Sequence, residues 1–372
     1  MADALYLDHN ATTPLFPEVV ARMAELLGRT GNPSSLHSFG RAARREIENA
    51  RESVAALVNA SPADVVFTSG GTEANALALA GCGCDNRLVS AVEHESVRQC
   101  APDSMPLPVK EDGIIDLDAL CERLKNTHGS VVVSVTLADG QTGIVQPIAT
   151  LAEIAHRHGA LVHCDAVQAA GRMPVDVCEL GADLVSLSAH KMGGPQGVGA
   201  LVVVRRGFDL YPLFRGGGQE RGRRGGTENV AAIVGFGIAA EATMPYISTQ
   251  ERVRGWRDDL ERRLVMVCPD VSVFGKDMPR LANTSCFAIP GMVGRTQVMG
   301  LDLAGVAVSA GSACSSGKLE PPHALLAMGV PAGLAKCAIR VSFGWTNADG
   351  DTDRFLRAWE PLMRRRDAAS AA

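Results

Sequence analysis

The chain has 372 residues, of which 46% are hydrophobic, 21% charged and 4% aromatic, and its formal net charge is -5. That composition excludes collagen, coiled coil and wholesale disorder, and the negative balance leaves no basic footprint for nucleic acid. At roughly 150 residues per domain, the length predicts two domains or one large α/β unit with an appendage.

The N-terminal stretch MADALYLDHNATT lacks a charged segment followed by an apolar core, so no secretory leader is expected. No run approaches about 18 uninterrupted apolar residues, so no membrane span is expected either. The ten cysteines then read as reduced thiols of a cytoplasmic protein, most of them small buried hydrophobes. Cys82-Gly-Cys84 has no partner pair at CxxC spacing and reads as a poor metal site.

In chain order, residues 39–58 carry apolar side chains at helical spacing among charges, the pattern of an amphipathic helix. Short runs of Val, Ile and Leu follow, each ending in a polar or Gly-rich cluster. They predict strands over Val65–Thr68, Arg87–Ala91, Ser130–Val135, Ala160–Cys164, Leu184–Ser186 and Ala200–Val204. Their hydrophobicity is continuous, which suits strands buried on both faces of a mostly parallel sheet. Glu73–Ala80, Leu117–Lys125 and Pro147–His158 are the predicted helices between them. Gln250–Val267 and Asp349–Arg366 predict long helices in a smaller α+β region. The fold class expected is therefore α/β, a mostly parallel sheet flanked by helices, with residues 15–250 as the large domain. Residues 1–14 and 251–372 form the small one.

Chemistry collects where predicted strands end, as it does in open α/β sheets. In Thr68-Ser-Gly-Gly-Thr-Glu-Ala-Asn75 two glycines open a helix, and free N–H groups there can cradle a phosphate at Gly71 and Thr72. The plainer reading is a capped glycine turn. In His163-Cys-Asp-Ala-Val-Gln168 a carboxylate follows an apolar strand; it is either a buried partner for a cation or an N-cap. In Ser186-Leu-Ser-Ala-His-Lys-Met-Gly-Gly194 a lysine lies between a strand and a tight loop, where desolvation would make it a nucleophilic amine. A snorkelling surface lysine is the alternative. Together Lys191, Asp165 and the Gly71 turn match what pyridoxal phosphate needs: a Schiff-base lysine, an acid facing the ring nitrogen and a phosphate cup. Ser309-Ala-Gly-Ser-Ala-Cys-Ser-Ser-Gly317 has almost no side-chain bulk except one thiol, which predicts a mobile loop with an accessible cysteine. Gly235-Phe-Gly237 matches a dinucleotide fingerprint only in letters, because no strand precedes it.

Across nearly its whole length the chain resembles cysteine desulfurases of the NifS/IscS type, a group of class V, fold-type I pyridoxal phosphate enzymes. The resemblance rests on YLDHNATTP, GNPSSLHSFG, FTSGGTEAN, VEHESV, HCDAVQAAG, SLSAHKMGGPQGVGAL, RGGGQERGRRGGTENV, SAGSACSSGKLEPPH and IRVSFG, in that order. The long serine-rich cysteine loop is similar to that of the group I branch. What the resemblance implies is a homodimer that converts L-cysteine to L-alanine. Lys191 would hold the cofactor and move protons. Asp165 would face the ring nitrogen, Gln168 the phenolic oxygen, and His94 would stack on the ring. Gly71, Thr72, Ser188 and His190 would bind the phosphate, with Thr227 reaching the neighbouring subunit's phosphate. Arg340, helped by Asn32, would bind the substrate carboxylate. Cys314 would take the sulfur as a persulfide for an acceptor or an iron–sulfur scaffold protein.

Two departures stand out. Ala138-Asp-Gly-Gln-Thr-Gly143 replaces the usual NNExG, so that Gly140 falls where an asparagine contacts the phenolic oxygen, with Asp139 and Gln141 as candidate substitutes. Trp345 stands where a basic residue often follows IRxSxG. Two other functions fit the same letters. One is a relative acting on selenocysteine or cysteine sulfinate, which does not need the thiol; the other is a non-catalytic sulfur-transfer scaffold.

Overall fold

The computed structural model describes residues 4–205, 209–311 and 320–370. Its strands are β1 (Leu5–Tyr6), β2 (Val65–Thr68), β3 (Asn86–Ser90), β4 (Met105–Leu107), β5 (Val131–Thr136), β6 (Leu161–Asp165), β7 (Leu184–Ser188), β8 (Gly199–Val203), β9 (Ser272–Val273), β10 (Thr284–Ala288), β11 (Val306–Ala307) and β12 (Ala338–Ser342). The central sheet has seven strands in the order β2-β8-β7-β6-β5-β3-β4. Strands β7, β6, β5, β3 and β4 are parallel neighbours. Strand β8 runs antiparallel to both β7 and β2. Each predicted strand forms within two residues of its expected ends, while the short edge strand β4 was not anticipated from its three residues, Met-Pro-Leu.

The uniform apolar runs have the cause expected: β2, β5, β6, β7 and β8 are buried at every position. Helices cover the sheet, among them Ser38–Leu57, Gly71–Gly81, Leu117–Asn126 and Ile148–Arg157. The helix Val230–Ser248 is long and apolar enough, by length and composition, to match a membrane span. It is mostly buried here and packs against Ser38–Leu57 and Pro17–Leu27. The Gly235 and Gly237 pair explains how closely it does so. A Cβ on Gly237 would lie 2.7 Å from the Ala50 Cα, and one on Gly235 would lie 2.8 Å from the Met23 sulfur. The apparent nucleotide motif is thus a helix-packing device.

A second core gathers Leu5 and Leu7 with Val253, Leu260, Phe287, Ile339, Phe355 and Trp359. Strand β1 pairs with β11 in parallel, and β12-β10-β9 form a three-stranded antiparallel sheet. The N-terminal segment links the two cores: after β1, residues 8–13 run across the ends of β6 and β7 and along β12.

Candidate active site

Four stretches meet at the C-terminal ends of β6 and β7. Asp165 closes β6 and is buried. One carboxylate oxygen accepts from the Val167 N–H at 2.9 Å and the other from the Asn75 amide at 2.7 Å. Both readings of this residue are therefore partly realised: it caps the following turn, and it is a buried carboxylate with partners. Asn75 also donates to the Ser96 hydroxyl at 3.0 Å, which lies 2.8 Å from His94 Nδ1. A side-chain chain His94–Ser96–Asn75–Asp165 results. His94 caps the short helix Glu95–Cys100 and keeps an exposed ring.

Beside Asp165, the helix Gly71–Gly81 presents its N-terminus. Gly70 adopts φ +153° with open space where a Cβ would stand, and a Cβ on Gly71 would press within 2.9 Å of Val167 and 3.4 Å of Ser188. Only glycine keeps this cradle open. Glu73 in its first turn accepts from the Ser69 N–H at 2.7 Å and from Arg224 at 2.9 Å. Arg224 belongs to the loop that carries Thr227. That loop is anchored again by Glu220, which is buried and takes two 2.7 Å bonds from Arg51 and one of 2.9 Å from the Phe67 N–H. Glu220 and Arg221 hold φ of +44° and +58°, a conformation costing of order 1 kcal/mol or more per residue outside glycine. The buried ion pair holds them there.

Strand β7 delivers Ser188, His190 and Lys191. The Lys191 amine turns inward and donates to the carbonyls of Asn10 at 2.6 Å and Ala11 at 2.9 Å. Its pKa is lowered to about 7, by burial first, then by the Arg172 and Arg340 charges, against the opposing pull of Asp8 and Asp165. It is not a snorkelling surface lysine. His190 Nδ1 lies 3.2 Å from the Thr12 hydroxyl, and burial with the neighbouring Lys191 lowers its pKa to about 4. Gln168 donates to the Asn10 carbonyl at 3.1 Å.

Arg340 arrives from β12. It donates to the Gly140 carbonyl at 2.9 Å and to Asp8 at 2.8 Å, while its Nε has no partner. Its own backbone pairs with Ser309, N–H to carbonyl in both directions, so the residue leading into the cysteine segment is tied to the Arg340 strand. Cys314 itself lies outside the described residues. Glu93, next to His94, is buried, and burial followed by the Asp165 charge holds its carboxyl well above the usual range.

Not every expected residue joins this cluster. Asn32 is exposed, and its side-chain oxygen accepts from the Ser34 N–H at 2.9 Å. Thr227 is exposed too and shares none of the hydrogen bonds above. The two candidate substitutes at Gly140 are committed elsewhere: Asp139 accepts from Gln141 and Thr142 within its own turn, and Gln141 donates to the Cys286 sulfur. A Cβ on Gly140 would sit 3.1 Å from the Gln168 amide nitrogen, so Gln168 stands alone beside an open position. Trp345 is structural, donating to the Pro14 carbonyl at 2.9 Å and packing on Phe16. Residues with no role read from the sequence also belong here: Asp8, Asn10, Asn75, Ser96 and Arg172. Asp8, Asn10, Asn75 and Ser96 lie inside the quoted motifs, and Arg172 directly follows HCDAVQAAG, but no partner for any of them is legible in the sequence.

The arrangement fits an anionic, planar cofactor. It offers a glycine cradle at a helix N-terminus, an amine held only by carbonyls, a carboxylate fixed by two donors, and an unpartnered donor on Arg340. Among the described residues no group of His, Cys, Asp and Glu could hold a metal ion.

The pattern of the class V aminotransferase family matches residues 5–355. The chain is 43% identical to a cysteine desulfurase of Cereibacter sphaeroides, covering 97% of this chain and 96% of that one. It is 39% identical to an IscS-like cysteine desulfurase of Mycobacterium tuberculosis, over 99% and 98% of the two chains. Among solved structures, a NifS-like protein from Rickettsia africae superposes with a TM-score of 0.91 at 35% identity, covering 97% and 99%. A protein described as SspA in complex with cysteine superposes with a TM-score of 0.80 at 28% identity, covering 91% and 98%.

Proposed function

The chain belongs to the class V aminotransferase family, and we propose that within it this protein is an L-cysteine desulfurase that uses pyridoxal phosphate. The observation that carries the reading is the Lys191 amine: turned inward, held by two backbone carbonyls, and shifted towards its neutral form. Such an amine is a nucleophile at neutral pH. In this reading Gly71, Thr72, Ser188 and His190 hold the phosphate, Asp165 faces the ring nitrogen, Gln168 the phenolic oxygen, and His94 lies on the ring face. Residues 15–250 carry these groups, and the unit formed by 1–14 and 251–372 adds Arg340 and Cys314. Bound pyridoxal phosphate supplies an electron sink that makes the substrate's Cβ–S bond labile.

The chain's own residues do the rest. Arg340 exchanges Asp8 for the substrate carboxylate, a charge-assisted pair of the same kind. Lys191 Nζ takes the proton from the substrate's α-carbon. The Cys314 thiolate attacks the substrate sulfur: an S–S bond forms, the Cβ–S bond breaks, and the carbon fragment takes up protons and leaves as alanine. Exchange of this type needs an accessible thiolate. Thr227, exposed on its anchored loop, is free to reach a second subunit. The exposed Leu27, Leu36, Phe39, Leu213 and Phe214 support a homodimer as the working unit. The sulfur then passes to an acceptor in the cytoplasm, an iron–sulfur scaffold or a thiolation protein.

Mass spectrometry of the cofactor-loaded protein after brief exposure to L-cysteine tests this. The expected result is one added sulfur on Cys314 together with alanine, and Cys314→Ala should keep the cofactor yet stop sulfur release. Normal turnover by that variant, or activity only with selenocysteine or cysteine sulfinate, would move the protein to the relatives that dispense with the thiol.

A further inference from the structure

Arg172 is 5% exposed and makes four hydrogen bonds, none of them to an acid. Nη1 donates to the Gln168 backbone carbonyl at 2.9 Å and to the Gln168 side-chain oxygen. Nη2 donates to the His9 carbonyl at 2.9 Å and to the Lys191 carbonyl at 3.1 Å. Among the described residues Arg172 forms no ion pair with a carboxylate, and the charged and titratable groups acting on it are Tyr246 and Arg340. A buried cation without a counter-ion is costly, and this one joins three segments of the site: residues 9–11, 165–172 and 188–191.

We propose that Arg172 is a positioning residue for the cofactor site: its fork fixes which edge of the Gln168 amide faces the site, and its unpaired charge, buried beside Lys191, opposes a second cation there. This inference rests on the cofactor reading above.

The first half follows from donor and acceptor bookkeeping. A guanidinium can only donate, so the Gln168 atom facing it is the oxygen. The Asn10 carbonyl can only accept, so the atom facing it is the nitrogen, at 3.1 Å. Both constraints select the same amide orientation. They leave one Gln168 N–H free next to Gly140, where a Cβ position lies 3.1 Å from that nitrogen. With Asp139 and Gln141 tied into other bonds, this N–H is the donor available to an oxygen of the bound ring.

The second half follows from the charges around Lys191. Arg172 and Arg340 disfavour its protonated form, Asp8 and Asp165 favour it, and His190 is held neutral beside it. Facing Arg172 are Tyr246, Arg340 and His9. Burial and the Arg340 charge lower Arg172 only to about 10, so it stays charged at neutral pH. The Asp8–Arg340 pair partly cancels within itself, which leaves Arg172 as the uncompensated cation.

Two variants separate the halves. Arg172→Gln removes the charge; Arg172→Lys keeps the charge but replaces the two-nitrogen fork by a single nitrogen, which cannot serve the Gln168 oxygens and the His9 and Lys191 carbonyls together. Competitive acetylation of the apoprotein, read at Lys191 by mass spectrometry against pH, should show half-labelling near pH 7 in the wild type. For Arg172→Gln, labelling at pH 7 should fall about fivefold, a shift of roughly one unit, while Arg172→Lys should match the wild type. The rate of pyridoxal phosphate release should rise roughly tenfold or more in Arg172→Lys, the worth of one charged hydrogen bond. A merely structural role would move the two readouts together or neither. Unchanged Lys191 labelling in Arg172→Gln overturns the charge half, and wild-type release from Arg172→Lys overturns the clamp. Each variant decides its own half, so misfolding of one leaves the other decisive. A wild-type protein that takes up no pyridoxal phosphate, or that binds it at another lysine, would instead overturn the cofactor reading.

Discussion

Lys191 and Arg340 reach the same space from the two cores, and they are held in opposite ways. Lys191, from the central sheet, has only carbonyls as partners and two arginines as its nearest opposing charges. Arg340, from the smaller sheet, has a carboxylate at 2.8 Å. One cation is being made neutral; the other is paired with a carboxylate. That division suits a site in which one basic group must act as a nucleophile and proton carrier while the other binds a carboxylate. It also assigns the fixed parts to the central sheet. On the Arg340 side, the Asp8 contact is one a substrate can exchange, and the backbone of Ser309 ties that strand to the cysteine segment.

Removing the neutral amine should have the largest effect. Lys191→Met should cut turnover by roughly 10³-fold or more, because the proton carrier is gone. It should also change how the apoprotein's stability depends on pH. A lysine whose folded pKa is about 7 against about 10.4 unfolded binds its proton in the unfolded state alone between those values. Stability therefore rises with pH above 7, by at most about 1.4 kcal/mol per unit; below 7 both states are protonated and the slope vanishes. Urea midpoints between pH 7 and 8.5 should climb less steeply in Lys191→Met than in the wild type, the remaining slope coming from groups both share, among them the Cys82 thiol, which is also lowered to about 7. Equal slopes would mean that Lys191 is charged in the folded protein.

Next comes the charged half. Arg340→Gln should raise KM for L-cysteine by roughly 10- to 100-fold, the range for losing a charged hydrogen-bond pair, with a smaller change in kcat. A fall in kcat at constant KM would take Arg340 out of substrate binding. Asp8→Asn should act in the opposite direction and more weakly. It frees Arg340 from its competitor, so KM should fall by at most about fivefold, as for a partly exposed pair. It also removes a charge that favours protonated Lys191, so the acid limb of the rate profile should move to lower pH. A rise in KM would show that Asp8 orients Arg340 rather than competing for it.

The contrast between the two cations was only half visible in the amino-acid order. Lys191, Asp165 and the Gly71 turn stand out because strand ends and glycine cradles are written locally, in five to ten adjacent residues. The antiparallel direction of β8 has no such local mark, because an apolar run of five residues reads the same in either direction. The partners that decide charge lie in distant segments: Asn10 and Ala11 for Lys191, Asp8 for Arg340, Asn75 for Asp165. Arg172 was invisible for a further reason. An arginine after a glycine turn is ordinary, and only its burial without an acid makes it unusual. Trp345, read as a departure, proved to be a packing residue on Phe16 and Pro14.

The smallest expected effect probes the same logic on an acid. Glu93 precedes His94, is buried, and is held well above the usual carboxylate range by burial first and by the Asp165 charge next. Two ionised carboxylates so close in a dry site would repel, so one of them keeps its proton. Asp165 has donors in Asn75 and Val167; Glu93 is the member that burial pushes towards its protonated form. Glu93→Gln replaces a protonated acid by a neutral amide of the same shape. Cofactor binding and kcat should stay within about threefold of the wild type, and the pH profile should not move, since no charge is lost. Glu93→Ala, which opens a cavity beside His94, should cost stability instead, by roughly 1–3 kcal/mol. If Glu93→Gln shifts the pH profile as strongly as a change at Lys191, then Glu93 is ionised, and the negative charge at this end of the site belongs to the pair rather than to Asp165 alone.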